Sequence, residues 1–115
     1  MDSRPSKLAA RLRLLVVPAL FIACLATTGC GGTWYAYQAG AASSKVEEAR
    51  SLGAEKHAAY EYHLANEHLK KASEEAARAE YGDAINLAEY AEDQAAIAVT
   101  KTRNARSTAG KESAK

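Results

Sequence analysis

The sequence predicts an all-α protein, an antiparallel helical hairpin with an alanine-rich, coiled-coil-like seam and a short leading helix. Three observations predict it. Apolar residues recur at alternating steps of four and three over residues 58–79 and again over 84–105, the spacing of a heptad face. No proline follows Pro18, and the chain beyond residue 44 is rich in Ala, Glu and Lys, which favour helix. The two apolar runs are separated by four residues that include "YGD", Tyr81 to Asp83, a link short enough to make the helices antiparallel neighbours. With 115 residues, the chain holds at most one small domain.

The first 29 residues read differently. Arg4, Lys7, Arg11 and Arg13 precede an uncharged run from Leu14 to Ala26, and Thr27, Thr28 and Gly29 follow. A basic start, a short apolar run and a small-residue zone describe an export signal. A membrane-spanning helix needs about 20 apolar residues; this run is shorter and holds Pro18.

Both cysteines fall at its end, Cys24 and Cys30. A bacterial lipobox places small residues before a cysteine that receives a diacylglyceryl group, and the chain is cut on its N-terminal side. Ala26, Thr27, Thr28 and Gly29 precede Cys30; Leu20, Phe21 and Ile22, all bulky, stand before Cys24. Cys30 is therefore the expected lipidation site and residues 1–29 the cleaved lipoprotein signal. Thr27 departs from the usual pattern, which has Leu three residues before the cysteine. A Cys24–Cys30 disulfide would suit an exported chain, but only if the signal stayed attached. Cleavage would lower Lys plus Arg from 15 to 11 and Asp plus Glu from 14 to 13, a formal charge of −2. A mildly acidic body argues against a nucleic-acid partner.

Residues 30–43 carry no charge and read as a lipidated tether with a helical end. Trp34, Tyr35 and Tyr37 there suit a membrane interface or packing on the first helix. The helical domain is expected over residues 44–106. Ser44 and Glu47 form a capping-box pattern that would start the leading helix; Ala42, Val46, Ala49 and Gly53 share a face, and Gly53 would stop or kink it. The second stripe is Ala58, Tyr62, Ala65, Leu69, Ala72, Ala76 and Ala79. Glu67–Lys71, Lys70–Glu74, Lys71–Glu75 and Glu74–Arg78 have pairing distance on the opposite, wet face. Gly82 is expected to take the left-handed turn and Asp83 to cap the next helix. The third stripe is Ala84, Ala88, Ala91, Ala95, Ala98, Thr102 and Ala105. Residues 107–115 have no apolar face and are expected to be disordered. The basic end (Lys101, Arg103, Arg106, Lys111 and Lys115) reads as a solvated helix terminus suiting the helix dipole, with anionic lipid or cell wall as the other reading.

Alanine buries little area, so an isolated hairpin gains little at about 25 cal/mol per Å² against about 1–2 kcal/mol of backbone entropy per residue. More surface is needed: a second copy, another protein or the membrane face. The expected interaction seam is Tyr62, Ala65, Leu69, Ala72, Ala76, Ala84, Ala88, Ala91, Ala95 and Ala98.

The run from Lys45 to Ala98 resembles a bacterial family of small alanine-rich envelope lipoprotein domains known only as a domain of unknown function. The resemblance rests on Ala59–Tyr62, Ala65, Leu69–Ala72 and Ala76, then on Tyr81, Asp83, Ala84, Ala88, Ala91 and Ala95. Family members often carry a proline where Ala59 and Tyr60 stand here. Some have an OmpA-like peptidoglycan-binding domain afterwards, for which this chain is expected to be too short. The family brings no catalytic residues. A weaker likeness, of Tyr81, Ala84, Ala88 and Ala91 to part of a tetratricopeptide repeat, reflects shared helix-hairpin physics, since an array needs about three repeats.

Chemistry is thinly represented. His57, His63 and His68 are six and five apart, not the three or four that put two ligands on one helical face. His57 with Glu61 and His63 with Glu67 have i,i+4 spacing and are the only candidates for a weak metal site. The carboxylate pairs Glu47/Glu48, Glu74/Glu75 and Glu92/Asp93 would need a pocket to separate their pKa values, and an alanine-seamed hairpin is expected to offer none of useful size. No catalytic residue, cofactor or metal is expected. The sequence thus predicts a non-enzymatic lipoprotein held by Cys30 at the periplasmic face of a membrane, the outer one because no Asp follows Cys30. It would act as a structural or scaffolding module on itself or another envelope protein. The other reading is a small-ligand- or metal-binding lipoprotein using the His/Glu faces.

Overall fold

The computed structural model describes residues 7–26 and 30–115, with residues 17 and 19–26 described by backbone alone. Residues 27–29 of the expected lipobox and the Cys24 side chain lie outside the described residues. The chain forms two units, Met1–Cys30 and Gly31–Lys115. The first contains α1, Lys7–Ala26, with Pro18 inside it and Leu8, Leu12, Leu14 and Leu15 exposed. Among the described residues, no helix is long and apolar enough to cross a membrane.

From Cys30 onward the chain is helical: α2 (Cys30–Leu52), α3 (Ala54–His57), α4 (Ala59–Ala77) and α5 (Tyr81–Ser113), all but the first residue of α2 falling in the second unit. The α4–α5 pair is the expected antiparallel hairpin: Glu61 near the start of α4 meets Lys101 far along α5, and His68 meets Tyr90. α2 runs parallel to α5, its contacts advancing from Gly31 at Tyr81, through Gln38 at Glu92 and Glu48 at Arg103, to Leu52 at Arg106. α5, about 50 Å long at 1.5 Å per residue, is therefore the spine against which the other helices pack. The core gathers Val46 and Ala49 from α2, Ala54 from α3, Ala58 just before α4, Tyr62 and Ala65 from α4, and Ala95, Ala98 and Val99 from α5. The additional surface that the hairpin lacks is thus supplied in part by α2 of the same chain.

Three boundaries differ from the sequence expectation. α2 begins at Cys30 instead of Ser44, so the stretch expected as a tether is helix and Ser44 lies mid-helix. Gly31 and Gly32 each disfavour helix by about 1 kcal/mol relative to Ala. Tertiary contact favours glycine at the first of them: a Cβ on Gly31 would stand 3.0 Å from Tyr81 Cδ2, and one on Gly32 3.6 Å from Tyr81 Cζ. The tyrosine ring lies across the two glycines; a Cβ at Gly31 would push the ring aside by a few tenths of an ångström, whereas one at Gly32 would make ordinary contact with it. At the other end, α5 continues through the stretch expected to be disordered, to Ser113. Residues 107–113 are exposed; their helix is held by propagation from the packed part of α5, where each added residue gains a hydrogen bond without a new nucleus.

The third difference is the α4–α5 turn. Gly82 is helical, and the left-handed residue is Ala79, at φ 63°. The Glu80 N–H donates to Glu75 O at 3.0 Å and the Ala79 N–H to Ala76 O at 2.9 Å, the pair of bonds that closes a Schellman turn. Glu80 is the N-cap of α5, and Asp83 sits in the first turn, where its charge suits the helix dipole. Gly53, at φ 86°, ends α2 as expected. Left-handed backbone costs a non-glycine residue about 1–2 kcal/mol. Ala79→Gly is therefore expected to raise the urea midpoint, by up to about 1 kcal/mol of stability after the added unfolded-state entropy of glycine. Gly53→Ala is expected to lower it. Equal midpoints for both variants and the parent would contradict this account of the turns.

Candidate functional site

The seam lies within the chain. Ala65, Ala72, Ala84, Ala88, Ala91, Ala95 and Ala98 are completely buried, and Tyr62 is nearly so. Leu69 and Ala76 are half-buried. On the same stripes Ala58 and Thr102 are buried, while Ala79 is exposed in the turn. Heptad spacing explains the pattern: one small side chain per turn faces the partner helix and lets the backbones approach. These alanines are consumed in joining α4 to α5 and cannot also receive another chain without the hairpin opening. A partner would meet the outer faces.

The helices are fastened across their edges by polar ties. Gln38 Nε2 donates to Glu92 Oε2 at 2.9 Å, Arg103 Nη2 pairs with Glu48 at 2.7 Å, and Arg106 Nη1 donates to the Leu52 carbonyl at 3.4 Å. Lys101 pairs with Glu61. Three residues of the basic end thus face the rest of the fold, and Lys111 remains in the last turn of α5, where it suits the dipole. None of these ties has a sequence signal, because the partners stand 40 to 55 positions apart. On the wet face of α4, Lys71 pairs with Glu75 at 2.9 Å, as the spacing indicates. Lys71 also reaches Glu74, and Arg78 pairs with Glu75 rather than Glu74.

The ties set the protonation of the carboxylates. The Lys101 hydrogen bond holds Glu61 below the usual 4.5; Lys45 does the same for Glu48, and Lys71 for Glu75. A carboxylate whose pKa is lowered by folding contributes stability that is fully present above its unfolded value and is lost as pH falls through the folded one. The urea midpoint is therefore expected to be level above pH 5 and to decline as pH drops below about 4.5. Glu61→Gln is expected to flatten part of that decline. A midpoint unchanged down to pH 3 would contradict it.

The histidines do not converge. His57 is exposed at the end of α3. His63 is exposed on α4 with its ring 5.4 Å from that of Tyr62. His68 Nδ1 bonds the Leu64 carbonyl at 2.9 Å, and its ring lies 4.5 Å from the ring of Tyr90. Among the described residues, no group of three His, Cys, Asp or Glu side chains could hold a metal ion. An open groove of about 500 Å³ lies between α4 and α5, lined by His68, Glu75, Asp83, Asn86, Leu87 and Tyr90. Its walls are long side chains on two helices whose small seam residues keep the axes close, so the concavity depends on residues outside the stripes.

Cys30 is a free, exposed thiol at the first position of α2. Of the three aromatics behind it, Trp34 and Tyr37 are 55% and 68% exposed and stack with ring centroids 5.7 Å apart, while Tyr35 is half-buried.

Fold and seam together define a small all-α domain built on a helical hairpin whose apolar stripe is satisfied within one chain. Residues 35–114 match the family described as a domain of unknown function, DUF4398. The chain belongs to that family. The matched stretch takes in most of α2 and all of α3, α4 and α5, including residues that the sequence assigns to a tether and a tail. No curated protein and no solved structure matches the chain.

Proposed function

We propose that this protein is a membrane-anchored envelope lipoprotein, with Cys30 carrying the lipid after removal of residues 1–29 and the helical unit acting as a structural, protein-interaction module. The observation that carries the reading is the position of Cys30. It follows a basic, apolar and small-residue leader, is exposed, and stands at the start of the helical unit. A cut at its amino side would leave residues 31–115 whole. The outer membrane is the expected destination, since Gly31 and not Asp follows the cysteine. A non-enzymatic role is supported by the wide scatter of the three histidines and by carboxylates committed to ion pairs.

The test is the mass of the N-terminal peptide from membrane-extracted protein, with Cys30→Ser alongside. Chains beginning at an acylated Cys30, and loss of both lipid and cleavage in the variant, are the expected result. An unmodified thiol or an intact leader would overturn the reading. A second reading, binding of a small polar ligand, is favoured by the His68–Tyr90 cleft. Calorimetry of the protein with zinc, copper and nickel, and then with candidate solutes, tests it; heat abolished by His68→Ala would support it.

A further inference from the structure

The aromatic pair on α2 points to how the unit sits at its membrane. Cys30, Trp34 and Tyr37 are spaced i, i+4 and i+7 along one helix, so they share a face. That face is separate from the one given to α5, where Gln38, Ala42, Val46 and Ala49 lie. No charged side chain occurs from Cys30 to Ser44; the first is Lys45. The first turns of α2 are also fixed in direction, because Tyr81 lies over Gly31 and Gly32 and leaves no loose linker behind the cysteine.

We propose that Trp34 and Tyr37 form a bilayer-contact patch that seats in the headgroup layer beside the lipid on Cys30, holding the helical unit against the membrane instead of letting it swing on a tether. The proposal rests on the lipidation of Cys30. Tryptophan and tyrosine rings, apolar with one polar group, favour that layer, and seating this face there strips water from no charged side chain. Two rings bind a bilayer weakly alone, but the acyl chains next to them make their contact effectively intramolecular. Exposed Arg78, Glu80 and Asp83 at the same end of α5 limit insertion to the interface. A second copy is a poor occupant. Two aromatic rings bury about 150–250 Å² each, so a symmetric contact through them falls below the ~1,200 Å² typical of a stable interface.

Trp34 is the only tryptophan in the chain, so its emission reports this patch alone. The experiment uses the mature lipidated protein, its acylation established by mass, in phosphatidylcholine vesicles with and without acyl-chain bromination. The expected result is blue-shifted emission that brominated lipid quenches, with access to aqueous iodide reduced several-fold relative to free tryptophan; Tyr37→Ser is expected to restore part of that access. A lipidated chain whose Trp34 is open to iodide and untouched by brominated lipid would overturn the patch while leaving the lipoprotein reading intact. Emission shielded from both quenchers would mean that protein covers the patch, and would also overturn the proposal. Absence of the lipid by mass would remove both readings.

Discussion

Ala91→Glu is expected to unfold the α4–α5 hairpin. Ala91 is completely buried at the middle of the third stripe, between Ala88 and Ala95, which are equally closed. A glutamate there has two outcomes, both costly. It can remain in the seam, with its volume forcing the helices apart and its carboxylate desolvated without a partner, at a cost of several kcal/mol. Or it can reach water by rotating or shifting α5, which misplaces every alanine on the stripe. Against a total stability of about 5–15 kcal/mol for an ordinary domain, and less for an alanine core, either outcome empties the native state. Far-UV circular dichroism and urea titration measure it: loss of most helical signal, or a midpoint near zero denaturant, is expected. Ala96→Glu, on the exposed side of the same helix, should leave the transition in place. A parent-like midpoint for Ala91→Glu would show that the stripe is not the seam.

Tyr62→Ala is expected to have the second largest effect. The buried apolar residues described are alanines and valines except for Tyr62, which is 7% exposed. It lies in the cluster where α2, α3, α4 and α5 meet, and its ring is the largest side chain among the buried residues of that cluster. Truncating a buried aromatic costs about 3–5 kcal/mol, including the cavity left behind. At about 4–8 °C per kcal/mol for a domain of this size, the melting temperature should fall by more than 10 °C. Tyr62→Phe keeps the ring and should stay close to the parent. Should Tyr62→Ala melt within a few degrees of the parent, the cluster would not be the core.

The stripes show what the sequence made legible. Steps of four and three from Ala58 to Ala76 and from Ala84 to Ala105 identify residues that are buried or half-buried, because a heptad face is a local property of a helix. Gly53 was legible for the same reason: the left-handed conformation there is imposed within one turn. The start of α2 was not. Gly31 and Gly32 oppose helix by local propensity, and the side chain packed over them, Tyr81, is 50 positions away from Gly31. The turn misled in the same manner. Gly82 is the residue that local preference selects, but the length of the two packed stripes puts the reversal at Ala79. The candidate sites divide along this line. Cys30 and the seam alanines follow from local pattern; the Glu61–Lys101 tie, the His68–Tyr90 cleft and the stacked Trp34–Tyr37 pair arise from helix pairing or side-chain orientation that spacing alone does not give.

The placement of α2 connects the fold to the proposed function, since it decides whether the lipid anchor proposed at Cys30 is a leash or a fixed mount. Amide hydrogen exchange over residues 31–43 of the mature protein tests it most directly. Protection there comparable to that in the Val46–Ala49 turn, and reduced when Tyr81→Ala frees the glycines, is the result expected of a helix held on α5. Exchange across 31–43 at the rate of an unstructured peptide, with α4 and α5 fully protected, would contradict it.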